Sequence, residues 1–406
     1  MSMAMNIYSR RDVLKTAGAF ALMSGALDTA LDTQSAFAAN EAEATAYVGT
    51  YTTGNDSHGE GIYRFRMNLE TSELTDRKLA ARTPNPTWIA IHPSKKFLYA
   101  INEVTDFAGG NGSVSAFAIG ASGELRLLNT VSSAGAGPAH VSLDATGQFA
   151  FVANYAGGSI AVLPVHADGA LGEAVDVHRD LNMVGPGRPA NAPPASFAVS
   201  GHDAPHAHMI AVDPANKFIL ATDLGQDRLY SYAFDVSTGK LDSRGFLTLL
   251  GGVGPRHFAF HPNGHWMYVI TEESSQIAFM NYDSLTGAPA IKQICSALPP
   301  GFEGTSFGSE IAVSPDGHFL YAANRLHDTI SIFAIADDGD PKFVGESSTM
   351  GDYPRHFAID PSGSFLFACN QRSDCITSFR IDRETGKLGF TGKYAGVGSP
   401  AVIAFL

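Results

Sequence analysis

The sequence of 406 residues is poor in cysteine, in charged side chains and in long apolar runs. Three cysteines are too few for the disulfide framework of a chain this long. Only 17% of the residues are charged, the net charge is −13 and no basic run is present, which argues against a nucleic-acid partner. The apolar stretch at 16–27 is 12 residues long, too short to span a bilayer.

The N-terminus combines the features of an export signal. The pair Arg10-Arg11 precedes the apolar stretch, and Ala36-Phe37-Ala38 offers small residues at the spacing that signal peptidases cut. This order resembles a twin-arginine signal, and an amphipathic helix with a chance arginine pair is the alternative. We predict a signal peptide at 1–38 that engages the twin-arginine export machinery. The mature domain at 39–406 is expected to be periplasmic, monomeric and without a membrane anchor.

The abundant residues point to many short strands. With 42 glycines, 26 phenylalanines and 13 tyrosines, the composition suits an all-β fold with tight turns. One unit recurs six times: an apolar run, then His, Asp or Ser and usually Pro, then a turn and a second apolar run. Its anchor residues stand at 92, 144, 213, 261, 314 and 360, and they lie 46 to 69 residues apart. Propeller repeats have this spacing once loop insertions are allowed, and two further strands after each unit complete a four-stranded blade.

A seventh unit is divided between the two ends of the chain. Residues 400–405 match the first strand of the unit, and residues 46–51 match the second. The sequence therefore predicts a seven-bladed β-propeller of four-stranded blades whose last blade is closed by the N- and C-terminal strands. A β-sandwich array, the alternative, would leave each half-unit unpaired. A Gly-, Pro- and Ala-rich insertion at 182–204 breaks the rhythm and is predicted to be a long loop.

Hairpin geometry selects the candidate site. In each unit the residue five before the anchor is expected to face the residue eleven after it, at one mouth of the central channel. These two rings are enriched in charge, as a site for a small polar molecule requires. The predicted catalytic residues, on three consecutive blades, are His208, Arg256, Glu272 and Arg325. The predicted substrate-binding residues are His206, Glu103, Tyr155, Arg355 and Gln371.

Arg256 and Glu272 are predicted to be direct cross-strand neighbours, and a purely structural salt bridge is the alternative interpretation. His206 and His208 have the spacing of a metal pair but no third ligand at a fixed distance, so neither a metal nor a cofactor is expected. His257 and His356 each come one residue after a ring position. Strand alternation predicts that they point to the opposite face, between blades.

Five linked motifs carry a family resemblance: Pro205-His206-Ala207-His208, Asp223-Leu224-Gly225-Gln226-Asp227, Gly254-Pro255-Arg256-His257, Ser314-Pro315-Asp316-Gly317 and Asn324-Arg325-Leu326-His327-Asp328. Together they resemble the lactonase family of seven-bladed propellers, which includes propeller-type 6-phosphogluconolactonases and carboxymuconate lactonizing enzymes. The resemblance extends from about residue 46 to 406. It implies hydrolysis of a sugar lactone, a reaction of carbohydrate metabolism. One departure is that members often carry Arg-Gln where this chain has 199–203, at the end of its insertion.

The resemblance implies a site of one His, two Arg and one Glu, which correspond here to His208, Arg256, Arg325 and Glu272. Lactone hydrolysis needs a base for water and positive charge for an oxyanion. We assign Glu272 as the base, the arginines as oxyanion and carboxylate or phosphate binders, and His208 as a donor; the base and the histidine could exchange roles. Export favours a sugar lactone without phosphate. A lactonizing cycloisomerase and a non-catalytic binding or scaffold propeller are the alternative functions.

Overall fold

The computed structural model describes residues 43–54, 56–179 and 183–406. The predicted signal peptide lies outside these residues. The described strands form seven four-stranded antiparallel sheets. Within the same ranges, no helix is long and apolar enough to cross a membrane.

The strands succeed one another in chain order. Three of them open the divided blade, which we number blade 7: β1 (Glu43–Thr50), β2 (Ile62–Asn68) and β3 (Leu74–Ala81). Blade 1 contains β4 (Ile89–Ile91), β5 (Phe97–Phe107), β6 (Asn111–Ile119) and β7 (Leu125–Ser132). Blade 2 contains β8 (Pro138–Leu143), β9 (Phe149–Asn154), β10 (Ser159–Pro164) and β11 (Asp176–Arg179). Blade 3 contains β12 (Ala207–Val212), β13 (Phe218–Asp223), β14 (Arg228–Asp235) and β15 (Lys240–Thr248).

The remaining blades repeat this order. Blade 4 contains β16 (Pro255–Phe260), β17 (Trp266–Thr271), β18 (Gln276–Asp283) and β19 (Ala288–Ser296). Blade 5 contains β20 (Phe307–Val313), β21 (Phe319–Arg325), β22 (Thr329–Ile335) and β23 (Pro341–Ser348). Blade 6 contains β24 (Pro354–Ile359), β25 (Phe365–Asn370), β26 (Cys375–Ile381) and β27 (Leu388–Gly396). The last strand is β28 (Pro400–Phe405), and short 3-10 turns stand at Ala108–Gly110 and Gln371–Ser373.

The predicted closure of the ring is confirmed. Strand β28 pairs antiparallel with β1, with Val48 opposite Ile403 and Ala46 opposite Phe405. The first strand of each blade contacts the first strand of the next, and β28 contacts β4, so seven inner strands encircle one central channel. Pairing the two ends removes the exposed sheet edge that a linear array of blades would leave.

Buried tyrosines fasten neighbouring blades. On the second strand of blade 1, the Tyr99 hydroxyl donates to the Gly169 carbonyl of blade 2 at 3.0 Å. On the second strand of blade 4, the Tyr268 hydroxyl donates to the Gly339 carbonyl of blade 5 at 2.8 Å. Gly339 has a φ of +88°, and a Cβ there would lie 2.4 Å from the Phe279 ring. The recurring Tyr after the anchor and the recurring Gly in the outer turn are therefore two halves of one contact.

Inner strands carry a β-bulge at the end near the candidate site. In β16 the register shifts between Pro255, which faces Thr271, and His257, which faces Ile270. The same shift occurs before His356 in β24. A bulge inserts one extra residue and interrupts the alternation of side chains. The prediction that His257 and His356 point between blades is therefore wrong, because the bulge turns both toward the channel.

Candidate active site

The predicted cluster of two arginines and one glutamate forms in the structure. Glu272 Oε2 lies 3.2 Å from Arg256 Nε and 2.6 Å from Arg325 Nη2. All three side chains are less than a tenth exposed. Arg256 also donates to the carbonyl of Ser309, and Arg325 to that of Gly308 at 2.8 Å. Strand β20 of blade 5 therefore orients both guanidinium groups.

The direct cross-strand pairing of Arg256 with Glu272 is wrong in detail. Because Arg256 is the extra residue of the bulge, the backbone N–H of Glu272 donates instead to the carbonyl of Gly254, at 2.7 Å. The side chains nevertheless meet, since the long Arg256 side chain reaches past its own strand end.

Neighbouring charges and burial together set the protonation states of Glu272 and Arg256. Burial alone would raise the pKa of Glu272, but the nearby Arg325 and Arg256 outweigh burial and the pKa is lowered. Burial, with repulsion from Arg325 and Arg355, lowers the pKa of Arg256 to about 10. At neutral pH the carboxylate is therefore ionised and the guanidinium of Arg256 is protonated.

His208 lies beside this cluster as a neutral imidazole. It is 5% exposed, and its ring packs edge-on against Tyr155 and His257 at centroid distances of 5.6 and 5.0 Å. Burial first, and then the charge of Arg256, lowers the pKa of His208 well below its usual value. In the described part of the chain, His208 Nδ1 has no hydrogen-bond partner.

A second polar group lies on blades 7, 1 and 6. Glu103 Oε2 accepts hydrogen bonds from Thr87 Oγ1 at 2.6 Å and from Tyr51 Oη at 2.9 Å. The guanidinium of Arg355 lies over the Tyr51 ring, 5.0 Å from its centroid. The structure thus gathers two of the predicted substrate-binding residues, Glu103 and Arg355, into one group.

Tyr155 and His206 form a stacked pair, with ring centroids 4.3 Å apart. Both imidazole nitrogens of His206 have partners, the Tyr155 carbonyl and the Asp203 carboxylate, each at 2.9 Å. Gln371 opens a 3-10 turn, and its side-chain oxygen has no hydrogen-bond partner among the residues that the structure describes. No group of three potential ligands in those residues is arranged to hold a metal ion.

Sequence reasoning missed a layer of residues in the channel next to the charged cluster. Trp88 of blade 1 contacts the rings of His140, His257 and His356, which belong to the inner strands of blades 2, 4 and 6. Glu310 accepts from His257 Nδ1 at 3.0 Å. All five residues stand four before the anchor of their unit. Polar and aromatic residues recurring at that single position were the signal that could have found them.

A groove of about 530 Å³ lies elsewhere, where β1, β2 and β3 of blade 7 meet the 121–124 turn of blade 1. The groove lies at the end of blade 7 opposite to Tyr51 and the candidate site, because β1 begins at the groove and runs toward Tyr51. Its cations Arg64, Arg66 and Lys78 are all paired with Asp76. The cluster of Glu272, Arg256 and Arg325, with the neutral His208 beside it, is the better candidate for chemistry.

These features define a seven-bladed propeller whose inner strands bring together a buried, charge-paired group of polar side chains. The chain belongs to the lactonase family: the family model "Lactonase, 7-bladed beta-propeller" matches residues 45–405. The protein is therefore a hydrolase of the lactonase type.

Two relatives illustrate the similarity. The chain is 37% identical over 362 residues to a 6-phosphogluconolactonase of Bacillus subtilis, which covers 89% of this chain and 97% of that protein. Among solved structures, it is similar to the periplasmic gluconolactonase of Pseudomonas aeruginosa, with 29% identity and a TM-score of 0.79. That match covers 90% of this chain and 99% of the other.

Proposed function

We propose that the protein hydrolyses a sugar lactone at the channel mouth, with Glu272 as the base. The observation that carries this proposal is the buried, ionised Glu272 carboxylate held between Arg256 and Arg325. Both arginines contact Oε2, and we assign Oε1 as the oxygen that activates water. A base must be deprotonated at the working pH, and the lowered pKa of Glu272 meets that condition.

The reaction adds water to the lactone carbonyl. Glu272 Oε1 takes a proton from water as the new C–O bond forms, and Arg256 and Arg325 stabilise the negative charge on the carbonyl oxygen. When the ring C–O bond breaks, the same proton passes from Glu272 to the ring oxygen. His208, which is neutral, donates a hydrogen bond to that oxygen. The product is an open-chain hydroxy acid, and the carboxylate base is regenerated.

The second polar group supports the assignment of a polyhydroxylated substrate. Glu103 and Thr87 offer hydrogen-bonding groups for hydroxyls, and Arg355 offers a cation for a developing or existing negative charge. We further propose that the protein acts in the periplasm on a lactone without phosphate. The Arg10-Arg11 signal supports this location, as does the similarity to a periplasmic gluconolactonase of P. aeruginosa.

The test is acid release by the purified 39–406 domain from a panel of sugar lactones, with and without phosphate, after subtraction of spontaneous hydrolysis. We expect turnover of the sugar lactones and a higher kcat/KM for the unphosphorylated members. A folded domain that hydrolyses none of them would contradict the proposed activity. Preference for the phosphorylated members would contradict only the substrate assignment.

Export is tested separately by replacing Arg10 and Arg11 with Lys in the full chain. We expect the precursor to accumulate in the cytoplasm, because the export machinery reads the arginine pair. The purified mature domain, which lacks both positions, serves as the reference for folding. Normal periplasmic accumulation of the double variant would show that the signal was misinterpreted.

A further inference from the structure

The described part of the insertion, residues 183–204, is bonded to blades 3 and 4, which carry His208, Arg256 and Glu272. The backbone N–H of Gly185 donates to the carbonyl of Gly225 in blade 3 at 2.8 Å. The side-chain amide of Asn191 donates to Gln276 of blade 4 at 2.9 Å. A long loop fixed at several points is typical of a functional element rather than a passive connection.

The strongest attachment is a buried histidine between two carboxylates. His202 Nε2 lies 3.1 Å from Asp227 Oδ1, and His202 Nδ1 lies 3.1 Å from Glu273 Oε1. The three side chains are at most 2% exposed. Because both imidazole nitrogens face carboxylate oxygens, both carry hydrogen, and the ring is an imidazolium. Burial lowers the pKa of His202, but hydrogen bonds to Asp227 and Glu273 outweigh it and raise the pKa to about 9.

Asp227 connects this histidine to the strand that carries Arg256. Its carboxylate accepts from the backbone N–H groups of Gly252 at 2.6 Å and of Gly254 at 2.9 Å. Gly254 also accepts the bond from Glu272 that closes the bulged hairpin. The carboxylate that binds His202 therefore also holds the turn from which Arg256 projects.

Glu273 connects the histidine to the other strand of that hairpin. It directly follows Glu272 in the chain and is fully buried. Its Oε1 accepts from the Ser200 N–H at 2.5 Å, from the Ser200 hydroxyl at 2.7 Å and from the Gly201 N–H at 3.1 Å. One carboxylate oxygen thus gathers the backbone of the insertion beside the proposed base.

On its other side the insertion lies against the stacked pair Tyr155 and His206. A Cβ on Gly201 would lie 2.4 Å from the Tyr155 hydroxyl and 2.9 Å from His206 Cδ2. Tyr155 in turn packs against His208. The backbone at Gly201 therefore lies between Glu273, which accepts its N–H, and Tyr155, which packs against His208 of the candidate site.

We propose that His202 is a positioning residue of the lactonase site, which as an imidazolium fastens residues 200–204 as a fixed wall of the substrate pocket. This wall determines how tightly lactones bind, whereas the chemistry stays with Glu272 and its arginines. The inference rests on the proposed location of the site at the channel mouth.

The attachment itself is tested without any substrate. The exposed side chains Phe197 and Val199 offer cleavage points to a protease that cuts beside large apolar residues. We expect cleavage within 183–204 to be at least tenfold faster in His202→Gln than in the wild type. The matched control is His178→Gln, which removes a histidine 3.2 Å from Asp176 on the outer strand β11. Equal cleavage rates in His202→Gln and the wild type would overturn the proposal.

The wall is tested by a pair of glycine substitutions in the same segment. Gly201→Ala changes no charge but forces the backbone away from Tyr155, so KM for the lactone should rise at least fivefold while kcat stays within twofold. Gly187→Ala is the control, because a Cβ there meets no atom within 4 Å. An unchanged KM in Gly201→Ala and His202→Gln, with an active wild type, overturns this inference alone. A wild type without lactone turnover overturns the proposed function and the wall together.

The pH dependence of KM provides a readout that a neutral structural contact would not give. The groups that face His202 are Asp227, Glu273 and, on its own segment, Asp203. Stabilisation by the imidazolium is complete below the ordinary histidine pKa and is lost as the pH rises through about 9. With spontaneous hydrolysis subtracted, we expect the wild-type KM to rise between pH 8 and 10. The KM of His202→Gln should be high and flat there, and a flat wild-type profile would overturn the imidazolium role.

Discussion

Blades 1 and 4 place a glutamate at the same position of the repeat but give it different partners. Glu272 of blade 4 is paired with two guanidinium groups, whereas Glu103 of blade 1 accepts hydrogen bonds from two hydroxyl groups. Within each blade, the partner five residues before the anchor is Arg256 for Glu272 and Thr87 for Glu103. The comparison shows that the scaffold supplies equivalent positions and that the neighbouring side chains decide their chemistry.

The largest expected effect separates the two glutamates. Glu272→Gln keeps the shape of the side chain but removes its basicity, so kcat should fall by about 10²–10⁴. Glu103→Gln should lower kcat by less than about tenfold, because an amide oxygen still accepts from Thr87 and Tyr51. Steady-state kinetics on the best lactone measures both. A larger fall in Glu103→Gln would transfer the role of base to Glu103.

Loss of activity in Glu272→Gln must be distinguished from loss of the fold. Removing one partner of a buried ion pair leaves the guanidinium groups of Arg256 and Arg325 without their counter-charge, which costs about 3–5 kcal/mol of stability. Circular dichroism and thermal unfolding of the variant provide the check. Glu272→Asp is the companion variant, because it keeps the negative charge but shortens the side chain by one methylene. We expect this variant to be folded and to have a lowered kcat.

The next effect concerns the two arginines that stand five residues before their anchors, Arg256 and Arg355. Arg256→Lys should lower kcat about 10²-fold, because an ammonium cannot both contact Glu272 and donate to the Ser309 carbonyl as the guanidinium does. Arg355→Lys should mainly raise KM, since Arg355 lies over Tyr51 and away from the proposed base. A comparable fall of kcat in Arg355→Lys would show that both polar groups stabilise the transition state.

The pH dependence should show a smaller, continuous effect. The pKa of Glu272 is lowered by Arg325 and Arg256 despite burial, so the base stays ionised as the pH falls below the ordinary range of a glutamic acid. We expect kcat to be nearly constant from pH 7 to about pH 5 and to decline only below the unperturbed glutamate pKa of about 4.3. A kcat that halves near pH 6 would indicate a histidine as the base, and His208 would exchange roles with Glu272.

Most of the fold could be predicted from the sequence because the repeat is regular. The anchor positions gave the number of blades, and the divided unit gave the pairing of β1 with β28. The same regularity brought Arg256, Glu272 and Arg325 together correctly. The repeat pattern could not predict strand register to a single residue, because a β-bulge leaves the apolar pattern on either side of it unchanged.

That limit explains the error at His257 and His356. Strict alternation assigns neighbouring residues to opposite faces of a strand. The bulge instead leaves the side chains of both Arg256 and His257 pointing toward the channel. The contact of His202 with Asp227 and Glu273 could not be predicted from the sequence either, because these partners lie 25 and 71 residues from His202 along the chain. A loop without period contains no signal for such distant pairing.

The smallest predicted effect tests whether blades 1 and 4 are equivalent where the site is not involved. Tyr99 and Tyr268 each donate a buried hydrogen bond to a glycine carbonyl of the following blade. Replacing either with Phe leaves the ring in place and the carbonyl without this donor, so the free energy of unfolding should fall by about 1 kcal/mol in both variants. Denaturant unfolding measures the change, and kcat and KM should match the wild type. If Tyr268→Phe alone reduced kcat, the contact between blades 4 and 5 would also control the distance between Arg325 and Glu272, and the two blades would differ in scaffold as well as in chemistry.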